Sequence, residues 1–181
     1  MNDSRFYGTI CAVFFITALI FFAVYNQWIL FIGPMNGNIV TSSSILMQKK
    51  QVVLHYFYGD KWKAEKQELL WTEKEDKNIF QLINALLTLL DEERVIEKKM
   101  TLQSVLISSA GCMYLSFDHN ILGKQETIFK KWMLIEGILK TITANGIVAQ
   151  QVQFLVQHKP LEDAHLDFST PWPSYGFMGL K

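Results

Sequence analysis

Charge is missing from the first part of this sequence. Of 181 residues, none from Phe6 to Gln48 carries a charged side chain, and only Asp3 and Arg5 do so before them. A net charge is absent as well. The 17 Lys and Arg balance the 17 Asp and Glu, so no global positive field gathers nucleic acid, and neither DNA nor RNA is an expected partner. Cysteine is scarce: Cys11 lies in the uncharged stretch and Cys112 is alone beyond it, which excludes a disulfide within the downstream part and any CxxC site. The four histidines, His55, His119, His158 and His165, form no HExxH motif and no helical i, i+4 pair, so no zinc site is expected. Glycines occur singly, as at 33, 37, 59, 111, 123, 137 and 146, so there is neither a phosphate loop nor a GxSxG elbow. No metal, cofactor or catalytic residue is expected.

What is present is two materials joined end to end. Residues 10–32, ICAVFFITALIFFAVYNQWILFI, would form a helix roughly 35 Å long against a hydrocarbon core of about 30 Å. Tyr25 and Trp28 flank Asn26 and Gln27 as an interfacial belt would. The residues after the apolar core, Phe22 to Asn26, put bulk where a signal peptidase needs small side chains, and Cys11 lies too early for lipid attachment. The segment therefore reads as one uncleaved transmembrane helix after a short tail, residues 1–9, with the rest of the chain facing outside the cytoplasm. Residues 33–50 hold Gly, Pro, Asn and Ser at linker density.

The downstream part, from Gln51, alternates between two periodicities. QVVLHYFY (51–58) reads as a strand closed by Gly59 and Asp60, and QELLWT (67–72) as a shorter second strand. The lysine-rich stretch between them, with Trp62 and interleaved acids, reads as an exposed loop rather than a polyanion-binding patch. Thr72 and Glu75 have capping-box spacing ahead of a helix over 75–92 with Ile79, Ile83, Leu86, Leu87 and Leu90 on one face. Residues 101–118 read as a hairpin turning near Ala110 and Gly111. A second helix over 124–144 would bury Ile128, Trp132, Ile135, Leu139 and Ile142, with Glu126–Lys130 and Glu136–Lys140 as ion pairs, and would stop at Asn145 and Gly146. QVQFLVQ (151–157) is a last strand. The order ββαββαβ predicts an α+β fold with two helices packed on one face of a mainly antiparallel sheet.

Asp91, Glu92, Glu93, Glu162 and Asp163 could serve carbohydrate chemistry, but they fall in charge runs that read as solvated surface. Asp118 with His119, and His158 with His165, are the only pairs worth naming, and His119, directly after a strand, reads as part of a polar turn. The tail 174–181 and its approach are the better candidate, because Trp172, Tyr175, Phe177 and Met178 are too apolar for free display and are broken by Pro and Gly. They either wrap over the protein's own sheet or dock into a partner.

Two stretches carry a family resemblance. MTLQSVLISSAGCMYLSFD (100–118) looks like the hairpin of the GerMN domain family of spore germination and envelope proteins. VQFLVQHKPLEDAHLDFSTPWP (152–173) matches its later pattern through Phe154 to Val156, Lys159, Asp167, Phe168 and Pro171. The chain departs from the family where Gln157-His158 replaces the common Asp-Gly turn, and in having one copy of the module behind a hydrophobic anchor. The resemblance covers about Val52 to Pro173, so 51–173 is the expected domain. It implies a non-enzymatic envelope protein that binds another envelope protein or self-assembles; with the helix read at 10–32, the chain is expected to be a single-pass protein of a bacterial cytoplasmic membrane with its domain outside the cytoplasm. A peptidoglycan-binding module or hydrolase using surface carboxylates is the alternative.

Overall fold

The computed structural model describes residues 48–177, so the expected membrane helix at 10–32, the linker up to residue 47 and Met178 lie outside the described residues. Among those described, no helix is long and apolar enough to cross a membrane.

The fold is α+β. It opens with a hairpin of β1 (Gln48–Tyr58) and β2 (Lys61–Trp71), paired antiparallel from Gln48↔Trp71 to Tyr58↔Lys61. Gly59 and Asp60 make the two-residue connection with φ of 58° and 61°, both left-handed, as a type I′ turn requires. That turn sends the chain straight back along β1, so the lysine-rich stretch expected to be a loop is a strand. Few of its side chains are buried, which leaves no hydrophobic alternation to mark it.

Helix α1 (Glu75–Glu92) follows with the expected bounds and buries Ile79, Leu82, Ile83, Leu86 and Leu87. Its start differs from the expected capping box. Lys74 is the cap residue and makes no side-chain cap bond. Asn78 instead reaches back: its Oδ1 accepts from the Thr72 amide at 2.8 Å and its Nδ2 donates to the Thr72 carbonyl at 2.7 Å. A side chain inside the first turn thus secures the strand-to-helix corner.

β3 (Leu102–Ile107) and β4 (Cys112–Phe117) form the expected hairpin. Helix α2 (Ile128–Ala144) connects β4 to β5 (Gln151–Val156), and here the antiparallel expectation fails, since β4 and β5 run parallel in register from Cys112↔Gln151 to Phe117↔Val156. The reason is topological: a helix between adjacent strands carries the chain back to the end where it started, so the second strand must repeat the direction of the first. Two short strands complete the sheet on the far side of β5. β6 (Lys159–Pro160) covers its C-terminal half and β7 (Trp172–Pro173) its N-terminal half. There are therefore two sheets, the hairpin β1–β2 and a mixed five-stranded sheet, in place of the single sheet expected.

Both helices meet β1, and α1 also meets β3. The core joins Val52, Leu54 and Tyr56 of β1 to the apolar face of α1, to Met113, Leu115 and Phe117 of β4, and to Ile135, Ile138, Leu139 and Ile142 of α2. An aromatic group seals it where the chain ends: Phe154 packs edge-on against Phe168 and Trp172, which stack on each other at 5.2 Å between centroids.

The buried face of α2 is rotated from the expected stripe. Ile128 and Trp132 are exposed, whereas Lys131 and Glu136 are buried. The Glu126–Lys130 pair forms, at 3.1 Å. Glu136 does not pair with Lys140 but turns to the C-terminal segment.

Candidate functional site

In a two-stranded hairpin, alternate residues of each strand aim their backbone groups away from the other strand. On β1 two of these are Val53 and His55, and helix α2 meets both. Asn145 Oδ1 accepts from the Val53 amide at 2.9 Å, Asn145 Nδ2 donates to the Val53 carbonyl at 2.8 Å, and Thr141 Oγ1 accepts from the His55 amide at 2.9 Å. Lys50 Nζ adds a bond to the Asn145 carbonyl at 3.0 Å. Asn145 and Thr141 lie four apart, on one helical face, and so act as a polar seam that replaces a neighbouring strand. Gly137 makes the approach close, since a Cβ there would stand 3.1 Å from the His55 carbonyl oxygen.

The same register on β2 turns Trp62, Ala64, Lys66, Glu68 and Leu70 outward. Among the described residues no hydrogen bond reaches these backbone groups from outside the hairpin. β2 is therefore a long open edge. Its side chains carry Lys66 beside Glu68 on one face and Lys63 beside Glu65 on the other, and Leu70 is 49% exposed among them.

A cleft of about 1090 Å³ opens at the other end of the hairpin, between the β1–β2 turn, the end of α1, residues 119–127 and the start of α2. Leu90, Met100, Leu122 and Met133 line its depth, and Tyr58 and Phe129 its rim. Glu97 and Glu126 flank Gly123: the Glu97 carboxylate and Glu126 Cγ lie 3.7 and 2.8 Å from where a Gly123 Cβ would be. Glu126 is engaged by Lys130. His55, which also lines the cleft, is held below its ordinary range by burial and by the charge of Lys140.

The expected tail residues separate. Trp172 is buried in β7, pairs with Val152 and donates Nε1–H to the Asp167 carbonyl. Phe177 lies across Trp132 and Trp172, its amide donating to Glu136 Oε1 at 2.8 Å, the same oxygen that accepts from Trp132 Nε1. Gly176, with φ of +70°, lies so close to the Glu136 carboxylate that a Cβ would overlap it. Tyr175 is 58% exposed. The segment wraps its own fold: Trp172 is a core residue, and of the named residues Tyr175 and part of Phe177 remain on the surface.

One further feature escaped the sequence reading. Lys131 and Asp163 form a buried ion pair at 2.5 Å, with side chains 4% and 6% exposed, which clips α2 to the segment after β6. Asp163, expected on a solvated surface, is instead internal. Asp118 accepts from the Thr101 amide and hydroxyl and meets His119 Nδ1 at 3.1 Å, so that pair braces the start of β3 rather than facing a site. Gln157 and His158, despite departing from Asp-Gly, do form the tight turn before β6, with φ of 49° and 66°. The His158 amide is anchored on Ser116 Oγ. No group of three His, Cys, Asp or Glu side chains is placed to hold a metal among the described residues.

No protein-family model matches the chain, and no curated protein matches it. Solved structures are similar to it. One is a candidate lipoprotein from Clostridium perfringens, with 20% identity, 69% of this chain and 87% of that chain covered, and a TM-score of 0.46. Another is the tandem GerMN domains of the sporulation protein GerM from Bacillus subtilis, with 16% identity, 77% of this chain covered and a TM-score of 0.44. This chain spans 49% of the length of that one.

Proposed function

We propose that this chain is a non-enzymatic, membrane-anchored protein of the bacterial envelope whose α+β domain lies outside the cytoplasm and binds protein through the open edge of β2. The single observation that carries the reading is the contrast between the two edges of the hairpin. The β1 edge is met at Val53 and His55 by Asn145 and Thr141, while among the described residues nothing bonds the outward backbone groups of β2. An incoming strand gains a full ladder there, the mode by which extended segments add to exposed sheet edges. The uncharged segment at 10–32 and the resemblance of residues 100–118 and 152–173 to GerMN domains support the placement and the class.

The test is photo-crosslinking in intact cells, with a photoreactive residue at Ala64, Lys66 or Glu68 of the full-length chain and at Thr88, an exposed position on helix α1, as an off-edge control. Discrete protein adducts at the β2 positions and none at the control are expected. Absence of adducts at all three β2 positions refutes the reading.

The cleft favours a second reading, a glycan-binding or hydrolytic site, because Glu97 and Glu126 flank Gly123 in it and the aromatic side chains Tyr58 and Phe129 also line it. Sedimentation with purified peptidoglycan, lost on Glu97→Gln and Glu126→Gln, is the outcome that would establish it. Unchanged sedimentation in both variants would remove it.

A further inference from the structure

Resting on the proposal that β2 binds protein, we infer that its partner is a second copy of this chain, joined antiparallel along β2 with Lys66 opposite the second copy's Glu68. The register follows from alternation. Two copies related by a two-fold axis can pair only with outward-facing residues opposite outward-facing residues, because a slip by one residue would oppose backbone groups that cannot bond.

Sliding the second copy in allowed steps gives distinct outcomes. Centred on Lys66, two lysines meet; centred on Glu68, two glutamates meet. Both place like charges directly across, which destabilises a pair. Centred on Gln67, between them, Lys66 faces Glu68 twice, once on each side of the axis, and Ala64 faces Leu70 twice. Leu70, half exposed in the single chain, is then covered. A register centred on Ala64 pairs Lys63 with Glu65, but it leaves Leu70 uncovered; each register draws on one charge that has a partner within its own copy, Lys63 at 3.7 Å from Glu93 or Glu68 at 3.6 Å from Lys49. The register centred on Gln67 also keeps a longer overlap, from Lys63 to Trp71. The result is a continuous sheet running β1, β2, second β2, second β1, in which the outward backbone of β2 is paired in both copies.

The test uses the full-length chain in membranes with Cys11 replaced by Ser; Cys112 is buried. With Gln67→Cys, mild oxidation is expected to give a homodimer, since residue 67 meets itself on the axis. Ala64→Cys, which meets Leu70, should give roughly tenfold less. Charge reversal supplies the second arm. Lys66→Glu turns both cross-strand pairs repulsive and should weaken Gln67→Cys crosslinking roughly tenfold, while Lys66→Glu with Glu68→Lys should restore it. A structural defect would not be repaired by the second reversal. If the β2 photo-crosslinks give only other proteins and Gln67→Cys gives no homodimer, the second-copy inference is overturned while the binding reading survives. If neither experiment gives an adduct, both fall.

Discussion

Removing the ammonium of Lys131 should destabilise the domain more than any exposed charge could. Lys131 Nζ lies 2.5 Å from Asp163 Oδ2, and both side chains are almost wholly enclosed. Asp163 Oδ1 is already committed to the amides of His165 and Leu166, at 3.0 and 3.2 Å. Lys131→Met keeps most of the side chain's length but leaves Oδ2 as a buried charge without a partner. Breaking one half of such a pair costs about 3–5 kcal/mol, a large share of the 5–15 kcal/mol that is typical for a whole domain. Asp163→Asn keeps the acceptor for the two amides but turns an NH₂ toward the ammonium, and should cost a similar amount. In the double variant the charges are gone and one neutral amide lacks a partner, a penalty of about 1–3 kcal/mol. The single changes should therefore be strongly non-additive, with a coupling above about 2 kcal/mol. Urea unfolding of the four proteins measures this, provided the slope is unchanged. A loss below about 0.5 kcal/mol on Lys131→Met, or additive single changes, would refute the reasoning. The pH dependence supplies a check of sign. Burial pushes the Asp163 carboxyl up, but the hydrogen bond from Lys131, the two amides and the ammonium charge outweigh it and hold the group below its usual range. Its folded pKa thus lies below its unfolded value. The stabilisation is complete above about pH 4 and is lost as pH falls through the folded value. The gap between wild type and Lys131→Met should accordingly narrow on acidification.

Three other outcomes follow from the geometry. Asn145→Ala leaves the Val53 amide and carbonyl without their partner, so about 1–3 kcal/mol should be lost per group that water cannot reach, with faster hydrogen exchange at Val53. Replacing Gln157-His158 by Asn-Gly relieves two left-handed non-glycine residues and should raise stability by about 1 kcal/mol, read as a higher melting temperature. Trp172→Ala should cost about 3–5 kcal/mol by emptying the space beside Phe154 and Phe168, whereas Tyr175→Ala should stay within about 0.5 kcal/mol; thermal unfolding separates the two.

The sequence marks elements whose burial follows a period. Helix α1 is legible to its ends because Ile79, Ile83, Leu86 and Leu90 repeat on one face and the flanks are charged. β2 is legible only in its second half, where QELLWT marks a strand; residues 61–66 are not, because an open strand buries little on either side, and their one reliable signal is the Gly59–Asp60 turn before them. The face of α2 is misjudged for the opposite reason. Lys131 and Glu136 are enclosed by polar partners distant in sequence, Asp163 and the Phe177 amide, which no local period announces. The parallel pairing of β4 and β5 was implied by the intervening helix, yet adjacency in the sheet is a long-range fact. The tail shows the limit of reading by composition: Trp172 and Phe177 look alike as exposed anchors, and only the strand pairing of Trp172 with Val152 places one of them in the core.

The polar seam between β1 and α2 sets an order of events during folding. The hairpin needs only contacts close in sequence and closes on a timescale of about 1–10 μs, whereas Asn145 and Thr141 must arrive from 86–92 residues away. Until they do, the hairpin has two bare edges rather than one, and the transient edge, along Val53 and His55, lies next to the most apolar strand of the pair. Crowding of chains during that interval favours joining through β1, a pairing that the finished molecule forbids. Asn145 therefore acts as a timer as well as a fastener: the sooner α2 docks, the shorter the period in which neighbouring chains can join along the wrong edge.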